Sequence, residues 1–142
     1  MATEREIEAF LETYQRSWAE AWNARPAIFH PGGGVRYPGR DELVNPDVSP
    51  SMTDRLRQIT DDLEMRLLHW AEREDMLFTE WELRCTVGGR PFRLTGINRF
   101  QLRGSQALEA VSVLDRMAVA EFLDPDFRGQ SVGEMLAGVA FR

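Results

Sequence analysis

The sequence predicts an α+β fold, in which a curved antiparallel sheet is closed on one face by an N-terminal helix and shorter helices. An amphipathic helical stripe opens the chain and a block of alternating strands follows, an order that indicates helices segregated to one face of an antiparallel sheet. The third observation is Gly88-Gly89, set between the alternating runs EWELRCTV and PFRLTGINRF. Both central residues of a tight hairpin turn need φ > 0, so this pair marks a hairpin. A curved sheet closed by a long helix leaves a conical cavity. The 142 residues suit one domain, 1–142, with 124–142 as a C-terminal extension.

Residues 3–22 read as the first helix. Thr3 and Glu6 stand at capping-box spacing, and Ile7, Phe10, Leu11, Tyr14, Trp18, Ala21 and Trp22 recur at three- and four-residue intervals as one apolar stripe. From Asn23 to Pro50 the chain is rich in Pro and Gly, and Pro26, Pro31, Pro38, Pro46 and Pro50 bar any long helix. A helical turn over Ala27–Phe29 and a short strand over Val35–Tyr37 are expected there, and the segment reads either as a pocket rim or as a linker. A second helix is expected from Ser51 to Asp62, capped by Ser51, with Met52, Leu56, Ile59 and Leu63 on its apolar side.

Met65–Glu72 reads as a strand with Leu67, His69 and Ala71 on one face and Leu68 and Trp70 on the other, followed by a turn at Arg73–Asp75. Folding the hairpin about Gly88-Gly89 sets Val87 opposite Arg90, Cys85 opposite Phe92, Leu83 opposite Leu94, Trp81 opposite Gly96 and Thr79 opposite Asn98. One face is then apolar apart from Thr79 and Asn98, and the other carries Glu80, Glu82, Arg84, Arg93 and Arg99. Arg84 opposite Arg93 repels unless carboxylates intervene. A second reversal at Arg103-Gly104-Ser105 leads into the strand ALEAVSVLD. A three-residue loop there puts Ala110, Ser112 and Leu114 on the apolar face, and one residue of slip exchanges them for Val111, Val113 and Asp115. Met117–Leu123 is expected to be helical, and Val132–Val139 to form a short helix in the tail.

The net charge of −6, with scattered basic residues, argues against nucleic acid or an anionic membrane as partner and favours a small hydrophobic molecule. The single cysteine, Cys85, excludes an intramolecular disulfide and reads as core packing. His30 and His69 are the only histidines, with no His/Cys cluster at ligand spacing, so no metal is expected. No N-terminal stretch has signal-peptide or membrane-spanning length, and cytoplasm is the expected location.

The segments SWAEAWN, FHPGG, WELR, GINRFQLRG and VSVLD together resemble the nuclear transport factor 2-like superfamily, nearest to its SnoaL-like polyketide cyclase and ketosteroid isomerase branch, over about residues 3–123. The resemblance implies a cone-shaped α+β barrel, usually a homodimer through the sheet, with a deep pocket. It does not fix chemistry, since members include cyclases, isomerases, dehydratases, epoxide hydrolases and non-enzymatic binding proteins. The acid that cyclase-like members place at the end of the last strand falls on Asp115. The oxyanion acid of ketosteroid isomerases falls on Gly96, which removes it. The Asp-Arg-Asp set of limonene-epoxide hydrolases finds no inward counterpart, because Glu82 and Arg84 turn to the charged face.

The resulting expectation is a cofactor-free cyclase or isomerase acting on an apolar, cyclic or aromatic carbonyl compound. Asp115 shuttles the proton, unless it caps the helix that follows or pairs with an arginine. Asn98, with Tyr37 or His69, polarises the carbonyl; Trp18, Trp81, Leu83 and Phe100 hold the rings. Thr79 meets Asn98 at the cavity floor, where the two either serve a ligand or satisfy each other. His30 in the rim closes over a ligand or is simply solvated. The alternative function is a non-catalytic binding protein for a small hydrophobic ligand, for which the same pocket suffices.

Overall fold

Gly88 and Gly89 adopt φ of 57° and 78°, the left-handed conformation that a two-residue hairpin turn requires and only glycine adopts without strain. The hairpin built on them, β3 (Met76–Val87) and β4 (Arg90–Arg103), has the register read from sequence, from Val87 opposite Arg90 through Trp81 opposite Gly96 to Thr79 opposite Asn98. A computed structural model describes residues 1–20, 26–37, 41–47 and 52–140 of the chain. It shows an α+β architecture of helix α1 (Glu4–Ser17), strand β1 (Phe29–Arg36), helix α2 (Met52–Arg57), strand β2 (Glu64–Arg73), the β3–β4 hairpin, strand β5 (Gln106–Leu114) and helix α3 (Arg116–Leu123). A 3-10 turn at Pro125–Phe127 and helix α4 (Val132–Ala140) complete it.

The five strands form one sheet in the order β1-β5-β4-β3-β2. Four are antiparallel as expected, but β1 pairs with β5 in parallel, so the sheet is mixed at that edge. Ala27–Phe29 is not a helical turn. Ile28 and Phe29 are held extended because the Asp47 carboxylate accepts from both backbone N–H groups, at 3.2 and 3.0 Å, and the strand begins at Phe29 rather than Val35.

Thr3 and Glu6 form the reciprocal capping box that starts α1. The helix stops at Ser17, short of the expected 22, with Trp18 as its C-cap; Ala21 and Trp22 lie outside the described residues. α2 is likewise shorter than read, and its expected cap, Ser51, lies outside the described residues. α1 lays Ile7, Phe10, Leu11 and Tyr14 on the inner face of the sheet, against Leu77, Phe100, Leu102, Ala107 and Ala110. Phe10 and Phe100 meet edge-on at 4.8 Å between ring centroids, and burying a ring of this size contributes about 1.5–3 kcal/mol. A second cluster of Trp81, Leu83, Cys85 and Leu94 is covered by Met52 and Leu56 of α2 and Ala118 and Val119 of α3. The helices therefore close the sheet from two ends.

Two bulges decide which side chains face inward. In β2 the register jumps between Leu67, opposite Trp81, and His69, opposite Glu80. The extra residue reverses the alternation, so Leu67 and His69 do not share a face: His69 stands with Glu80 on the outer side and is exposed. In β5 the turn has two residues, Gly104-Ser105, with Arg103 opposite Gln106. A register shift beside Leu102 then restores the face set that a three-residue loop would have given, with Ala110 opposite Phe100, Ser112 opposite Asn98 and Leu114 opposite Gly96. Val113 and Asp115 are accordingly turned off the inner face.

Candidate functional site

The space left between α1, the start of β1, α2 and the inner sheet face is a cavity of about 110 Å³. Its walls include Trp18, Phe29, Val35, Tyr37, Met52, Trp81 and Phe100, and its polar groups are those of Tyr14, Ser17, Thr53, Asn98 and Ser112. Ser17 is satisfied locally, its hydroxyl donating to the Tyr14 carbonyl at 2.6 Å. No aspartate, glutamate, histidine or arginine lines the cavity among the described residues, and no lysine occurs anywhere in the chain, all seventeen basic residues being arginine.

The floor is a directed chain of neutral hydrogen bonds. The Trp81 indole N–H donates to Asn98 Oδ1 at 3.2 Å, and Asn98 Nδ2 donates to the Tyr14 hydroxyl at 2.9 Å. An indole nitrogen can only donate, so it fixes which end of the Asn98 amide is the oxygen, and hence that Tyr14 Oη receives a proton rather than giving one to Asn98. The Tyr14 proton then has two destinations, Thr79 Oγ1 or the cavity. Thr79 is buried at 1% exposure and close enough to Tyr14 to influence its ionisation, yet its Oγ1 has no hydrogen bond of good geometry. It is a near but misaligned neighbour of the phenol.

Burial pushes the Tyr14 hydroxyl well above its ordinary ionisation range, against the smaller opposing effects of the nearby Thr79 hydroxyl and of the Asn98 amide. Tyr37 is raised as well, also by burial. Both phenols therefore keep their protons at neutral pH. What the floor offers an occupant is O–H and N–H donors in an apolar enclosure, an arrangement that suits an acceptor oxygen.

Asn98, Tyr37, Trp18, Trp81 and Phe100 come together here as the sequence suggested. Thr79 lies beneath the floor, and Leu83 is fully buried in the second cluster rather than on the wall. His69 is on the outer face by the β2 bulge. His30 is turned away, its Nε2 2.9 Å from the Arg103 carbonyl across the sheet edge. Asp115 does not enter the cavity: it is exposed, and its carboxylate caps α3 by accepting from the Ala118 N–H at 3.2 Å. It lines instead a neighbouring pocket of about 340 Å³ that shares Tyr37 and Ser112 with the cavity.

Tyr14 and Ser112 were missed as site residues. Tyr14 was visible only as one ring of the α1 stripe, where its hydroxyl has no sequence signal of its own. Ser112 was already on the apolar face in one register, opposite Asn98, and a small polar residue between Ala110 and Leu114 was the signal.

The outer face holds a different cluster. Glu82 is 3% exposed although it points away from the core, because arginine side chains lie over it. Arg93 Nε stands 2.6 Å and Arg84 Nε 2.7 Å from its two oxygens, with Arg66 at 3.6 Å. Glu82 is thus the carboxylate that intervenes between the facing Arg84 and Arg93. The bond from Arg93, ahead of the bond from Arg84, holds its carboxyl below the usual glutamate range.

No protein-family model matches the chain, and no curated protein matches it in sequence. Solved structures do match in fold. A candidate polyketide cyclase from Acidithiobacillus ferrooxidans superposes with a TM-score of 0.66 at 15% identity, over 87% of this chain and 97% of the other. An NTF2-like protein from Burkholderia thailandensis gives 0.65 at 15% identity, over 84% and 98%. A candidate SnoaL-like polyketide cyclase from Jannaschia sp. gives 0.62 at 16% identity, over 84% and 94%. The fold is therefore the NTF2-like cone of which SnoaL-like proteins are one form.

Proposed function

We propose that this chain binds one mainly apolar, cyclic carbonyl compound inside the cone and acts on it as a cyclase or isomerase, with the Tyr14 O–H polarising the carbonyl. The observation that carries the reading is the Trp81–Asn98–Tyr14 chain, in which Tyr14 accepts from Asn98 and keeps its own proton at neutral pH for donation at the cavity floor. A donor fixed in such a place favours negative charge developing on the carbonyl oxygen, as when an adjacent C–H is lost to give an enolate. Removing one such donor typically costs about 10²–10³ in rate. With no lysine in the chain, capture of the carbonyl as a lysine imine is excluded. The similar structures named as candidate polyketide cyclases lend the reading their fold. The reaction needs no cofactor as we read it.

Asp115 is exposed and caps α3, and no carboxylate or histidine is among the described lining residues, so the C–H proton passes to solvent water in our reading. A C–H flanked by two carbonyls is acidic enough that polarisation of one of them does much of the work, and such compounds are the substrates we favour. The absence of a carboxylate or histidine from the described lining favours a second reading, retention of the ligand without reaction. Mass spectrometry of small molecules co-purifying with the protein tests both. A carbonyl compound whose retention falls sharply in Tyr14→Phe supports the site. Its conversion by the wild type but not by Tyr14→Phe supports catalysis, and recovery unchanged supports binding alone. Loss of neither retention nor turnover in Tyr14→Phe would sink the role assigned to the phenol.

We further propose a homodimer through the outer sheet face, where Phe78, Ile97 and Val113 are 41–53% exposed and Ile97 and Val113 are direct cross-strand neighbours. Sedimentation giving a monomer would defeat it. We place the protein in the cytoplasm, where the buried thiol of Cys85 stays reduced.

A further inference from the structure

Gly96 has no conformational need to be glycine, since its φ lies outside the left-handed region that the turn glycines occupy. Its need is for space. A Cβ built there stands against Trp81 Cζ2, 2.6 Å from Trp81 Cε2 and 2.9 Å from the Val113 carbonyl oxygen. The first two atoms belong to an indole that is 3% exposed and the third to paired backbone, so no neighbour has room to give way. The glycine thus lets the indole lie flat across β4. That pose brings its N–H to Asn98 and makes its ring face a wall of the cavity.

The cavity bounded by this wall measures about 110 Å³. A cavity of about 150 Å³ lined by aliphatic and aromatic side chains holds one benzene molecule. At about 110 Å³ the space beside the indole is smaller than that, so one ring already fills it, and a second ring fused on the side of Trp81 meets the indole. The donors at the floor call for one acceptor oxygen on that ring.

We propose that Trp81, held flat by Gly96, is the specificity-determining wall that turns away a second ring fused on its side of a six-membered ring bearing a carbonyl oxygen. The proposal rests on reading the cavity as a carbonyl site, and it names the size class that site accepts. Trp81 sets the limit directly. Gly96 is a positioning residue that acts through it.

Benzaldehyde and 2-naphthaldehyde are suitable probes, since they differ by one fused ring and the chain has no lysine to trap them. Dissociation constants measured by saturation-transfer NMR on the full chain are expected to favour benzaldehyde by about tenfold or more in the wild type. In Trp81→Phe, which removes the benzo ring of the indole, the preference is expected to fall to about threefold or less, by gain of 2-naphthaldehyde affinity. Gly96→Ala tilts the indole into the cavity and is expected to weaken benzaldehyde by about tenfold, while the double variant Gly96→Ala/Trp81→Phe regains it. The regain is a readout that a purely structural defect at Gly96 would not give, and thermal melts confirm that each variant is folded.

Equal binding of the two aldehydes by the wild type, or an unchanged preference in a folded Trp81→Phe, would overturn the limit set by Trp81 while leaving the cavity as a ligand site. Binding of neither aldehyde by the folded wild type would overturn the carbonyl-site reading and this inference with it.

Discussion

The two faces of the β3–β4 hairpin each bury a polar cluster, the inner one through neutral groups and the outer one through charges. Inward, Trp81, Asn98 and Tyr14 pass hydrogen bonds along one fixed direction beneath apolar walls. Outward, Glu82 sits under Arg66, Arg84 and Arg93, whose side chains remain 55–60% exposed. A charge on the inner face would pay the full cost of leaving water, so only donors and acceptors that match in sequence persist there. On the outer face water solvates the arginines, and a carboxylate can be covered by them without losing its charge. The difference separates the two clusters: the inner face orders neutral donors and acceptors, whereas the outer face tunes a carboxylate that solvent and salt also reach.

The contrast breaks most severely if the inner wall is emptied. Phe100 is 1% exposed and its ring meets Phe10, Tyr14 and Phe29, so Phe100→Ala is expected to cost about 3–5 kcal/mol in urea unfolding. On the outer face, Ile97→Ala at 53% exposure in the single chain is expected to stay within about 0.5 kcal/mol at protein concentrations where the chain is monomeric.

Asn98→Leu tests whether the inner chain is one unit. It leaves the Trp81 N–H buried without an acceptor, for an expected loss of about 1–3 kcal/mol. It also removes a donor that favours the Tyr14 phenolate, so the tyrosine should titrate at still higher pH by ultraviolet difference spectroscopy. Tyr14 keeps its proton in the folded state beyond its ordinary value of 10.0. Its contribution to stability is therefore complete below pH 10 and declines above it, where the unfolded chain loses the proton first. Tyr14→Phe should flatten that alkaline limb.

The outer cluster has the opposite sign. Glu82 titrates below its ordinary 4.5 when folded, so its stabilisation is present above about that pH and is lost as pH falls through the native value. Glu82→Gln should flatten the acid limb of the stability profile, and added salt should shrink the difference between the two proteins. No change in the acid limb would mean that the arginines contribute nothing measurable.

A smaller effect than those of the two polar clusters is expected at Asp115. As an N-cap its replacement by alanine should lower stability by about 1 kcal/mol and leave aldehyde binding unchanged. A large loss of turnover with stability intact would return Asp115 to the reaction.

The central hairpin was legible in the sequence because Gly88-Gly89 admits one kind of turn, and alternation then assigns every residue of β3 and β4 to a face. The α1 cap was legible for the same reason, a short-range geometry with a composition of its own. The inner positions of Trp81, Asn98 and Phe100 followed, and with them the hairpin's share of the cavity lining. His69 and Asp115 were misplaced by features that no residue type announces. A bulge beside Leu67 reverses a strand without any glycine or proline to mark it, and the β5 register depends on a turn and a bulge whose effects offset each other.

By itself, then, the sequence determined the α+β class, the hairpin register and the space that Gly96 leaves for Trp81, all of which depend on turn chemistry and alternation within a few residues. Only the tertiary structure decided that Tyr14, 84 residues from Asn98, meets it at the cavity floor, and that Asp115 caps α3 outside the cavity. The direction of a hydroxyl or carboxylate depends on which partner is in reach across the fold, and that partner is chosen by packing between α1 and the sheet rather than by neighbours along the chain.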